Sequence, residues 1–77
     1  MGTSRAVVED RESVVLTQRQ LEVLQWVANG KRDAETAKLL GVSDEAVRAT
    51  VWRAMELTGS ATRSAVVAYA IRRQLIR

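Results

Sequence analysis

The sequence predicts an all-α fold, and three observations carry the prediction. None of the 77 residues is proline, apolar residues recur at helical spacing, and period-2 alternation is scarce. Four amphipathic stretches follow a polar N-terminal arm, each bounded by a cap or a stop. A chain this short makes one domain and buries only about 60% of its unfolded surface, so dimerisation or ligand binding would add useful stability.

Residues 1–14 read as a flexible arm, with the domain proper over 15–77. The arm is polar and lacks helical periodicity apart from Val7-Val8, and Met1-Gly2-Thr3-Ser4 resembles a cloning remnant. A basic arm can enter a minor groove, but Glu9, Asp10 and Glu12 beside Arg5 and Arg11 favour disorder.

The first helix opens at Leu16-Thr17-Gln18-Arg19-Gln20. Thr17 is the expected N-cap, and Gln20 three residues on completes a capping box. Leu16 and Leu21, on either side of the cap, can form a hydrophobic staple. Leu21, Leu24 and Ala28 then mark an apolar stripe, broadened by Val23 and Val27, and Asn29-Gly30 stops the helix. Trp26 reads as a core or boundary residue. Lys31-Arg32-Asp33 links to the second helix, with Asp33 as its expected cap.

The stretch 34–55 has the grammar of a helix-turn-helix. Leu39 and Leu40 close a short helix, and Ala37 is small where two helices must cross. Gly41 suits a left-handed stop because it lacks a Cβ. Val42 is expected to plug the corner. Ser43 can cap the third helix, and Asp44 and Glu45 put negative charge at the positive end of its dipole. At 100° per residue, Val47, Val51, Ala54 and Thr58 fall on one stripe that should face the core. Glu45, Ala49, Trp52, Arg53 and Glu56 lie opposite, with Arg48 on the flank.

Gly59-Ser60-Ala61-Thr62 ends that helix near Leu57 and starts a fourth, capped by Ser60 or Thr62 and running to about Gln74. Val66, Val67, Ala70 and Ile71 can face the core. Ala65, Ala68 and Tyr69 spread apolar surface to another side, which suits a partner.

Composition narrows the function. There is no cysteine and no histidine, which removes disulfides, thiolate metal sites and the commonest general base. No catalytic residue, metal site or cofactor is expected, and no small-molecule ligand within this chain. No apolar run approaches the roughly 18 residues of a membrane span, and no signal peptide is evident, so a cytoplasmic location is expected. Net charge is +3, but residues 46–77 hold six arginines against Glu56 alone. That asymmetry favours a polyanionic partner.

Several motifs together resemble the LuxR-type (GerE-like) helix-turn-helix domain, a four-helix transcription-factor module. They are Leu16-Thr17-x-Arg19-Gln20-x-Glu22-Val23-Leu24, Val27-Ala28-x-Gly30, Glu35-x-Ala37-x-x-Leu40-x-Val42-Ser43-x-x-x-Val47-Arg48, Arg63 with Ala65-Val66-x-x-Ala68, and Leu75-Ile76. The resemblance covers Leu16 to Ile76 without a gap. Departures from the family pattern include Asp33 for asparagine, Thr36 for an aliphatic residue, Ala46 for threonine, Thr50 for histidine, Leu57-Thr58 for lysine-leucine, Gln74 for glycine, and Trp52 at a polar or basic position.

The resemblance implies binding of double-stranded DNA with the third helix in the major groove, as a homodimer through the fourth helix. Arg48, Ala49 and Trp52 match base-reading positions. Arg53, Thr50, Ser43 and Arg63 are candidates for phosphate contacts, and Lys31 and Arg32 can clamp the flanking backbone. The implied dimer surface is Ala65, Ala68, Tyr69 and Arg72. Two other readings fit parts of the chain. A sigma-factor region 4, which binds promoter DNA and RNA polymerase, is similar through three helices, although the Arg63–Ile76 ending departs from it. A helix-turn-helix repurposed for protein binding would use Trp52, Glu45 and Glu56.

Overall fold

The computed structural model describes residues 15–77; the arm expected at residues 1–14 lies outside them. Among the described residues there are four helices and no strand: α1 (Gln18–Ala28), α2 (Asp33–Leu40), α3 (Asp44–Thr58) and α4 (Arg63–Arg72). The all-α, four-helix expectation is met.

Capping chemistry sets the starts. The Gln20 amide donates to Thr17 Oγ1 at 3.0 Å, and the Thr17 amide donates to Gln20 Oε1 at 2.8 Å, closing the expected box. Leu16 is buried and Leu21 packs on the core, as a staple requires. Ser43 and Thr62 cap α3 and α4 by accepting from the Ala46 and Ala65 amides at 3.1 and 3.0 Å. Ser60, the other candidate cap for α4, instead shares a 2.7 Å hydrogen bond with the Thr58 hydroxyl.

At α2 the expectation needs correction. Asp33 is the first helical residue rather than the cap, and Arg32 holds the cap position. An arginine side chain has no acceptor to offer, so the box is half built. The Arg32 amide donates to Glu35 Oε1 at 2.8 Å. Asp33 is thereby left for another task, described below.

All four helices end in the same way. An amide two or three residues beyond the helix reaches back five residues: Lys31 to the Trp26 carbonyl, Val42 to Ala37, Ser60 to Met55 and Leu75 to Ala70, at 2.9–3.0 Å. This Schellman geometry needs a left-handed residue at the turn. Gly41 and Gly59 supply it on either side of α3, with φ of 70° and 67°. After α4 the position is taken by Gln74, at φ 61°, so α4 ends at Arg72 rather than continuing to Gln74.

The core lies where α3 meets the other three helices, and it centres on Val23, Leu24, Ala37, Val47, Val51, Ala54, Val66 and Ala70. Two residues depart from the expected inside–outside pattern. Val42 does not plug the corner but stays 38% exposed, and Ile71 lies outward at 44%. Thr36, by contrast, is wholly buried, and its hydroxyl has no hydrogen-bond partner. The C-terminal segment folds back onto α1. Ile76 is buried, and the Gln25 side-chain amide both donates to the Arg77 carbonyl and accepts from its amide, each at 2.9 Å.

Candidate nucleic-acid interface

The site is the outer face of α3. Val47, Val51, Ala54 and Met55 are buried along its inner side, which fixes the helix's rotation. At 100° per residue this turns Glu45, Arg48, Ala49, Trp52, Arg53 and Glu56 outward, and all six are exposed. The face is open to an approaching surface because α1, α2 and α4 all pack on the other side.

The outward groups differ in how free they are. Arg48 makes no ion pair or hydrogen bond among the described residues. Arg53 Nη1 lies 3.4 Å from Glu56 Oε1, an exposed i,i+3 pair that holds its cation weakly. The Thr50 hydroxyl is half-buried and donates to the Ala46 carbonyl at 2.8 Å, so it is committed to its own helix. Ser43 Oγ accepts from the Ala46 amide, which leaves its own O–H free to donate outward.

Trp52 is the large apolar group on this face, 63% exposed, and its indole divides two clefts. One, of about 140 Å³, is lined by Arg48, Val51, Trp52, Met55 and Arg63. The other, of about 220 Å³, is lined by Trp52, Met55, Glu56, Ser60 and Ala61. The first is walled by two cations and no acid; the second carries a carboxylate.

Arg63 is placed differently from the other cations. Its guanidinium grips Asp33 with two bonds, Nη2 to Oδ1 at 2.8 Å and Nη1 to Oδ2 at 3.2 Å. Paired forks of this kind combine strength with direction. The backbones of α2 and α4 do not otherwise approach each other, so this pair joins them and fixes the N-terminus of α4 beside the helix-turn-helix. Asp33 is therefore a positioning residue rather than the expected cap. Its partner lies 30 residues away, and no local spacing signals it.

At the start of α2, Lys31 and Arg32 are both exposed. The Arg32 amide, bonded to the Glu35 carboxylate, holds its pKa below the ordinary 4.5. The small burial of the group opposes this, and the charges of Lys31 and Arg32 assist it. On α4, Ala65, Ala68 and Tyr69 are half-buried and Arg72 is exposed. The Arg73 guanidinium sits 4.0 Å above the centre of the Tyr69 ring. An open apolar groove of about 520 Å³ runs between α1 and α4, with Val27, Val67, Ala68 and Ile71 on its walls.

Residues 14–70 match the GerE family, described as bacterial regulatory proteins of the luxR family. The chain belongs to that family. It is thus a LuxR-type helix-turn-helix domain. It is also similar to the uncharacterized transcriptional regulatory protein YxjL of Bacillus subtilis (strain 168), at 36% identity over 61 residues. That match takes in 79% of this chain and 28% of the relative, so the chain spans little more than a quarter of the relative's length.

Proposed function

We propose that the domain binds double-stranded DNA sequence-specifically, with α3 in the major groove, and that it does so as a dimer through α4. The observation that carries this is the free Arg48 beside Ala49 on the outward face of a helix whose inner face is locked into the core. A guanidinium in that position can take guanine O6 and N7 bidentately, worth about 1–3 kcal/mol of discrimination. Ala49 is small enough to meet a thymine methyl, and Trp52 packs on apolar parts of the groove. Arg53, Ser43, Lys31 and Arg32 contact phosphates, which sets register without reading sequence. Arg63 still has guanidinium donors beyond the two that hold Asp33, and it meets a flanking phosphate with those. Thr50, its hydroxyl engaged, contributes by contact at the helix edge.

The dimer surface is Ala65, Ala68, Tyr69 and Arg72, an apolar centre with a cationic margin, and its two-fold axis would pair two half-sites. The regulator works in the cytoplasm, and the same dimer leaves the remaining surface for RNA polymerase.

Anisotropy titration against a duplex selected from random DNA, at rising salt, tests this. The log–log slope should be near −0.9 per phosphate neutralised. Arg48→Ala should weaken binding and broaden specificity, whereas Arg53→Ala should weaken all sequences alike. Absence of duplex binding at low salt would overturn the proposal. Tyr69→Glu should lower the apparent mass in gel filtration; an unchanged mass would refute the α4 dimer.

A further inference from the structure

The geometry points to a thymine read by its 5-methyl group in the cleft between Arg48 and Trp52. This inference rests on the DNA-binding proposal and deepens it. Trp52 presents an indole 63% exposed on the proposed DNA-facing helix, and an apolar group that covers it in the complex adds favourable burial. The major groove offers one apolar group on its floor, the C5 methyl of thymine.

Of the two clefts beside the indole, charge selects one. The cleft on the Glu56 side would bring a carboxylate toward the phosphates. The other has Arg48, unpaired among the described residues, at its rim, with Arg63, its charge offset by Asp33, beside it, and Val51, Met55 and Trp52 as its apolar walls. At about 140 Å³ it has room for a methyl group and the ring edge that carries it.

Register follows from helix geometry. Arg48 and Trp52 are one turn apart, about 6 Å along the axis at 1.5 Å per residue. Base pairs are about 3.4 Å apart. The thymine therefore lies one to two base pairs from the guanine that Arg48 reads. The recognised step is a G·C pair with a T·A pair close beside it. The first is read by hydrogen bonds, the second by apolar contact.

The test replaces thymines with deoxyuridine, one at a time, in a duplex selected from random DNA. Uracil keeps every hydrogen-bonding group and loses only the methyl. The parent should bind about fourfold more weakly at one position per half-site, the factor expected for one carbon removed from apolar contact. Trp52→Ala should bind the two duplexes alike, and Trp52→Leu should keep the preference. Because Trp52 is exposed, both variants should retain the parent's circular dichroism.

Ala49→Gly guards against the neighbouring methyl contact. If the uracil effect survives Trp52→Ala and vanishes in Ala49→Gly, the inference is overturned. It is also overturned if the parent binds duplex with the expected salt slope yet ignores every uracil, in which case the DNA-binding proposal stands. If the parent binds no duplex, the DNA-binding proposal fails and the inference fails with it.

Discussion

Replacing Thr36 with valine should make the domain more stable, contrary to the usual sign of a core substitution. Thr36 has 0% of its surface exposed, and its Oγ1 has no hydrogen-bond partner. A hydroxyl taken from water and left unpaired costs about 1–3 kcal/mol. Valine has nearly the same shape, so the change should open no cavity and force no neighbour to move. The net gain should be about 1–2 kcal/mol. For a domain of 60–100 residues each kcal/mol moves the melting temperature by roughly 4–8 °C.

Thr58 supplies the matched control. Its hydroxyl donates to the Ala54 carbonyl at 2.8 Å and shares a bond with Ser60, so Thr58→Val should lose about 0.5–1.5 kcal/mol. The same chemical change thus has opposite signs at two positions. Urea unfolding followed by circular dichroism reads both, provided the slope with denaturant is unchanged. A Thr36→Val variant equal to or below the parent in midpoint would refute the reasoning. It would mean that the hydroxyl is satisfied by a bound water or by a shift of the helix.

Gln74→Gly should stabilise by about 0.5–1 kcal/mol, because Gln74 holds a left-handed turn at φ 61° that a side chain disfavours; thermal melts would show no gain if that strain were absent. Glu35 has a lowered pKa in the folded state, so its contribution is complete above the ordinary 4.5 and is lost as pH falls through the depressed value. Glu35→Gln should therefore flatten the acid limb of the stability curve below about pH 4.5, and an unchanged limb would contradict the assignment. A double-mutant cycle on Asp33 and Arg63 should give a coupling of about 1 kcal/mol, discounted because the two side chains are 18% and 41% exposed; additive single effects would show that the pair does not join α2 to α4.

Much of this fold is legible along the chain because its determinants are local. Thr17 with Gln20, and Ser43 before Asp44, set helix starts within three residues, and the phase of Val47, Val51 and Ala54 alone predicts that Arg48, Ala49, Trp52 and Arg53 face outward. What is not legible along the chain depends on residues far apart. Asp33 looks like a cap until Arg63 is seen to claim it, and Gln25 gives no sign that it will hold the backbone of Arg77, 52 positions later. Ile71 has helical spacing suited to the core, yet α4 buries a narrower face, centred on Val66 and Ala70. The site residues are legible as a face, but the clefts beside Trp52 also need Met55, which lies outside the stripe of Val47, Val51, Ala54 and Thr58 that the pattern marks.

The two left-handed glycines that bracket α3 also constrain how such a domain can change over time. With the helix anchored at both ends by Gly41 and Gly59, and along its length by buried valines, its phase cannot drift. One inserted residue would rotate everything beyond it by about 100° and turn Arg48 or Trp52 away from the outer face. Recognition can therefore diverge by substitution on the outer face but not by insertion or deletion. Duplicated copies are free to change that face while remaining superimposable in backbone.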